Sequence, residues 1–184
     1  MKKIIVIMFV TLLSNCYDKP ESTVLEFYNW YLSAIGNQPS EEYEPIFKAD
    51  KNGMTTLDME KYIKNLRKYN CSENMINREI LTYQECIKNL GKVKYETLLS
   101  DFDYDEVECS FVYSYRWIHT QETIDGVKII EVKELPQRKK LIKGQFYNFD
   151  KEKKEYFYWD WYCQVILINE NNSWKIDEIN ITDK

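Results

Sequence analysis

The chain has 184 residues, 44% hydrophobic and 15% aromatic, with 25 basic against 30 acidic side chains and a formal net charge of −5. That length holds one ordinary domain with a real core but not two, and the acidic balance excludes generic nucleic-acid binding, which needs the opposite charge. His119 is the only histidine and there is no Cys-x-x-Cys pair, so no metal site and no cofactor is expected.

The first element is MKKIIVIMFVTLLSNC: two lysines, an apolar run from Ile4 to Leu13, then small or polar residues up to Cys16. This is the layout of a secretory signal. A ten-residue run rises only about 15 Å as a helix, half a bilayer, so a permanent span is the poorer reading. Leu13-Ser14-Asn15-Cys16 resembles a bacterial lipobox. That resemblance implies cleavage before Cys16 and lipidation of its thiol, with 1–15 as signal peptide, 16–21 as lipidated tether and 22–184 as a single α+β domain. The expected location is across the inner membrane, held by lipid on the cell envelope at the outer membrane. Losing Lys2 and Lys3 would leave a 169-residue chain of charge −7.

After the tether, Val24, Phe27, Tyr28, Tyr31, Leu32 and Ile35 repeat at three-four spacing and predict one buried helix face, stopped near Gly36. Residues 37–55 carry two prolines and a Lys-Asn-Gly turn and read as a loop. A second helix is expected after Thr55 or Thr56, burying Met59, Tyr62, Ile63 and Leu66. Ser72 caps a third, with Ile76, Ile80, Tyr83, Ile87 and Leu90 on one face and Gly91 at its end.

From Val107 the period becomes two, with Cys109, Phe111, Tyr113, Tyr115 and Trp117 on one face, which predicts a half-buried strand. Asp125-Gly126 reads as a two-residue hairpin turn into VKIIEVK. Leu135-Pro136 breaks that run, KLIKGQFYNF resumes it, and a KEKK turn leads into EYFYWDWYCQVILIN. Asn171-Asn172 then turns the chain into a last strand, SWKIDEINI. Helices first and hairpin-linked strands afterwards predict an α+β fold, N-terminal helices packed against a curved, mostly antiparallel sheet.

Four cysteines remain beside Cys16: Cys71, Cys86, Cys109 and Cys163. One helix over 72–90 would hold Cys71 and Cys86 about 20 Å apart, beyond disulfide reach. Cys109 and Cys163, each on an expected strand, are the candidate pair in a compartment where disulfides persist; buried free thiols are the alternative. Strand parity divides the aromatic stretch. Phe157, Trp159, Trp161, Cys163, Val165 and Leu167 form a row assigned to the interior, and Tyr156, Tyr158, Asp160 and Tyr162 a row facing water or a partner.

FYNWYL at Phe27–Leu32, the segments YIKNLRKY and SENMINREILTYQECIKNL, and the terminal Trp174-Lys175-Ile176 resemble a bacterial lipoprotein domain family, domain of unknown function 3828. The final VILINENNSWKIDEI hairpin is shared more loosely with the nuclear transport factor 2-like superfamily. The resemblance implies a cone, a curved sheet closed around the N-terminal helix and enclosing a pocket. It supplies no reaction, because that fold serves isomerases and non-catalytic binders alike. The expected pocket wall is Tyr28, Tyr31, Tyr113, Tyr115, Trp117, Trp159 and Trp161.

An isomerase on such a cone needs a buried acid beside a tyrosine hydroxyl. Asp160 with Tyr28, Tyr113 or Tyr115, and His119 nearby, are the nominal candidates, but parity points Asp160 outward, so no catalytic residue is assigned. Asp101, Asp103, Asp105 and Glu106 resemble a calcium loop only superficially, since Glu106 stands where Gly is required and Val112 where Glu is required. Arg138, Lys139, Lys140 and Lys143 suit a charged strand edge, with an anionic-lipid contact as the alternative. The leading expectation is a non-enzymatic, membrane-anchored binding lipoprotein with an unknown protein or small ligand as partner, and a homodimer as one form of partner. An immunity protein neutralising a secreted toxin is the more concrete version, and a ketosteroid isomerase-type enzyme the third.

Overall fold

A computed structural model describes residues 19–98, 109 and 115–183. The signal peptide, Cys16, Tyr113, the acidic run 101–106 and most of the strand expected from Val107 lie outside the described residues. The described chain is α+β, with N-terminal helices, a small two-stranded sheet and a four-stranded antiparallel sheet.

Helix α1 spans Pro20–Asn37 with proline in its first turn, where the missing N–H costs nothing. Pro20 and Glu21 of the expected tether are therefore helical. Its apolar stripe of Val24, Phe27, Tyr28, Tyr31 and Ala34 is buried, as the spacing predicts. The expected loop that follows holds a 3-10 turn at Ser40–Glu42 and strand β1, Ile46–Ala49, paired with β2, Thr55–Asp58. Thr55 and Thr56 thus belong to a strand, and α2 runs later, Glu60–Lys68. Its N-terminus is held by Asp58, whose Oδ1 accepts from the Glu60 N–H.

Ser72 caps α3, Glu73–Thr82, by accepting from the Met75 N–H. The expected single helix over 72–90 breaks at Tyr83 and resumes as α4, Gln84–Leu90, followed by α5, Tyr95–Leu98. The break lets Tyr83 and Cys86 turn into a second, smaller core with Leu57, Leu90, Leu98 and Cys109. There Cys86 is bonded to Cys109 with Cα atoms 4.9 Å apart. The expected Cys109–Cys163 bridge is thereby corrected: Cys163 is a buried free thiol in the main core, and Cys71 is another.

The main sheet is a meander of β3 (Gly126–Leu135), β4 (Lys139–Asp150), β5 (Glu155–Glu170) and β6 (Ser173–Asp183) in sequential order. Asp125-Gly126 is not a hairpin turn. Gly126 opens β3, and the Asp125 carboxylate accepts from the Phe149 N–H across the sheet. The real turns are Pro136–Arg138, Lys151–Lys154 and Asn171-Asn172, with left-handed Gln137, Arg138, Lys154, Asn171 and Asn172. Tyr115 is left-handed too, and Arg116–Ile118 form a turn rather than the end of a strand.

Helix α1 lies on the sheet, packing Val24, Phe27, Tyr28 and Tyr31 against Ile142, Phe146, Cys163, Val165, Leu167 and Ile176. Within the sheet, Val127 of β3 and Cys163 of β5 close over Gly144, where an added Cβ would stand 2.4 Å from Val127 Cγ1 and 2.8 Å from the Cys163 sulfur. Between Gln145 and Tyr147 the β4–β5 register shifts, so that Gln145 faces Tyr162 while Tyr147 faces Tyr158. Two extra residues on β5 preserve the parity of the two rows while bending the strand at Trp159–Trp161.

Candidate functional site

The residues expected to wall a pocket separate into two groups. Tyr28, Tyr31 and Trp117 do meet, but as solid core: the Tyr28 hydroxyl donates to the Trp117 carbonyl at 3.2 Å and the Tyr31 hydroxyl accepts from the Trp117 N–H at 3.4 Å. Rings of Phe27, Trp30, Tyr31, Tyr43, Phe146 and Trp117 fill the space around them. Burial pushes the Tyr28 phenol far above its ordinary range, with Cys163 adding to the rise. Burial raises Tyr31 likewise, against the opposing Trp117 hydrogen bond. Neither phenol can give up a proton at neutral pH. Tyr115 packs beside this cluster, half-buried.

Trp161 instead lines an open cavity of about 370 Å³ with Ile118, His119, Thr120 and Ile181. Its indole N–H is buried without a hydrogen-bond partner, as is that of Trp117. The volume falls within the range of small-ligand sites. Burial, helped by the charge of Arg116, holds the His119 imidazole below its usual value, so it is neutral at pH 7. None of the described lining residues is a carboxylate. Asp160, the nominal acid, stands exposed on β5, while the Tyr28 hydroxyl is engaged by Trp117. Among the described residues, neither Tyr28 nor Tyr115 shares a hydrogen bond with Asp160, and Tyr113 lies outside them.

A buried carboxylate does occur elsewhere, at a residue the sequence reading passed over. Glu79 of α3 is 3% exposed and accepts from the hydroxyls of Tyr62 at 2.9 Å and Tyr83 at 3.1 Å. Arg116 closes the cluster with three contacts of 3.2–3.3 Å. Burial raises the Tyr62 and Tyr83 phenols, and the Glu79 charge raises them further. A carboxylate with a guanidinium and two hydroxyls at its oxygens has its charge matched and its acceptors filled, which is the arrangement a buried ion needs to be tolerated. The signal was its position: Glu79 shares the apolar face of α3 with Ile76 and Tyr83. On β6, Asp177 is similarly held by Ser72, Asn74, Arg78 and Lys139; Lys139 thus serves the fold, and the expected charged edge is corrected, because β4 is an inner strand between β3 and β5.

The outer half of β4 and β5 differs from both. Here Tyr156, Phe157 and Tyr158 are exposed, and Tyr147, Phe149 and Trp159 are half-buried. On one face Tyr156 packs at ring-centroid distances of 5.2 Å from Tyr147, 4.9 Å from Phe149 and 6.1 Å from Tyr158, with the Lys128 ammonium 4.9 Å above the Tyr158 ring. On the other, Phe157, Trp159 and Trp161 follow at 5.1 and 4.7 Å. Tyr156 and Phe157 are 56% and 59% exposed.

Two expectations change here. Phe157, assigned to the interior, is at the surface because the covering helix ends before it. Tyr162, assigned to the partner face, is buried beneath the Lys143 ammonium, 4.3 Å from its ring, and Gln145. Lys143 therefore packs on the sheet. Among the described residues no group of three or more histidine, cysteine or acidic side chains is placed to hold a metal ion, and no helix is long and apolar enough to cross a membrane. No family model, no curated protein and no solved structure matches the chain.

Proposed function

We propose that this chain is a lipid-anchored, non-catalytic binding module of the cell envelope, carried on a cone of the nuclear transport factor 2-like kind and akin to the lipoprotein domain family it resembles. The export and lipidation reading rests on Lys2, Lys3, the Ile4–Leu13 run and Cys16. The observation that carries the binding reading is the aromatic arm of β4 and β5. Rings of this size are normally buried, and contiguous exposed apolar surface on a soluble domain marks a contact site. Tyrosine suits the role, since one edge of its ring tolerates water while the face contacts a partner. The cavity beside Trp161 is a second place for a small ligand, with an unpartnered indole N–H to orient an acceptor.

Two readouts test this. Metabolic labelling with a fatty acid should mark the wild-type protein and leave Cys16→Ala unmarked; an unlabelled wild type removes the anchor. A photo-reactive phenylalanine placed at Phe157 should give adducts in the intact envelope. The same probe at Leu81, which is equally exposed at 58%, should not. Equal crosslinking at both positions would show that the arm is ordinary surface.

A further inference from the structure

We propose that the outer half of the β4–β5 arm is a membrane-contacting tip that seats in the interface of a lipid bilayer. The inference rests on the lipid-anchored reading and names the partner of the same arm.

The arm is aromatic on both faces. Tyr147, Phe149, Tyr156 and Tyr158 occupy one side, and Phe157 with Trp159 the other. A partner docked face to face covers one side of a sheet. A bilayer interface surrounds a hairpin and covers both sides together.

The residue types fit that depth. Tyrosine and tryptophan combine a large apolar ring with one polar atom and concentrate at headgroup level. The tip beyond them is polar. Asp150, Lys151, Glu152, Lys153, Lys154 and Glu155 carry three charges of each sign, and Asp150 caps the turn by accepting from the Glu152 and Lys153 N–H groups. Local charge cancels, so the contact is apolar and has no need of anionic lipid.

Cys16 precedes Pro20, the first residue of α1, by four residues, a reach of about 14 Å when extended. A lipid at Cys16 would therefore hold the domain close to a bilayer.

The test uses the full lipidated chain in vesicles of phosphatidylethanolamine and phosphatidylglycerol, with bromine on the upper acyl chain as a tryptophan quencher. Quenching should fall about twofold or more in Trp159→Tyr, which removes the reporter, and in Tyr156→Ser/Phe157→Ser, which withdraws the tip. It should persist when phosphatidylcholine replaces phosphatidylglycerol. Quenching that is absent, or unmoved by both variants, overturns the proposal. Crosslinking of Phe157 to another copy of the chain without quenching also overturns it, assigning the face to self-association. Flotation and acyl labelling read the anchor separately. A labelled, floated chain without quenching refutes the tip alone. An unlabelled chain that is quenched on addition to preformed vesicles refutes the anchor alone.

Discussion

The Glu79 cluster and the β4–β5 arm use overlapping chemistry in opposite circumstances. Around Glu79, two tyrosines and an arginine surround one carboxylate, and both Glu79 hydroxyl contacts are at 2.9–3.1 Å. On the arm, tyrosines meet each other and a lysine, while much of their ring surface stays in water. A buried polar group must find its partners inside the molecule, so the first arrangement is explained by folding. Exposed ring surface gains nothing from folding in that position. The contrast teaches where to look for function: in the unused apolar surface, rather than in the strongly perturbed ionisable groups that the Glu79 cluster contains.

The largest effect should come from breaking the buried side of this contrast. Glu79→Leu leaves Arg116 and two buried hydroxyls without their acceptor and should cost about 3 kcal/mol. That is the lower end for a broken buried pair, because Arg116 keeps partial access to water. Chemical denaturation measures it, with Glu79→Gln intermediate and the Trp159 signal unchanged in both. Next, Cys86→Ser opens a loop of 23 residues, a loss of about 3 kcal/mol in chain-entropy terms. It should also free Cys109 for thiol labelling, whereas Cys163→Ser should leave nonreducing mobility unchanged. Labelling of Cys109 in the unreduced wild type would contradict the pairing.

A smaller, pH-dependent loss should come from Asp177. Burial opposes its charge, but hydrogen bonds from Asn74 and Ser72 and the charges of Arg78 and Lys139 outweigh that and hold the carboxyl below its usual range. The folded state therefore favours the carboxylate. Its contribution is complete above the unfolded value of about 3.9 and disappears as pH falls through the lower folded value. Denaturant midpoints should drop through this acid window more steeply for the wild type than for Asp177→Asn. Parallel profiles would contradict the assignment. The smallest stability effect belongs to the arm: Tyr156→Ser/Phe157→Ser removes the ring pairs with Phe149 and Trp159 and should cost about 1 kcal/mol.

The sequence told apart the elements whose pattern is long. The α1 stripe, the β4–β6 meander and the Asn171-Asn172 turn all follow from periodicity and turn chemistry. Shorter features escaped it. β1 and β2 have four residues each, too few for a period to emerge, and the break at Tyr83 is driven by a side chain turning into the small core. The Cys86–Cys109 bridge escaped because a continuous helix was expected around Cys86. Parity put Tyr156, Tyr158 and Phe157 on the faces they occupy. It could not say where along β5 the covering helix stops, because that is set by packing of a distant segment, and this is why Phe157 and Tyr162 exchanged environments relative to expectation.

The contrast between a structural cluster and a contact arm is tested most directly by tryptophan quenching in brominated-lipid vesicles together with thermal unfolding, on Glu79→Gln and Tyr156→Ser/Phe157→Ser side by side. The account predicts a clearly lowered Tm with full quenching for the first variant, and a smaller drop in Tm with quenching reduced about twofold or more for the second. An arm variant that unfolds early yet remains quenched, or a Glu79 variant that keeps its Tm and loses quenching, would contradict it.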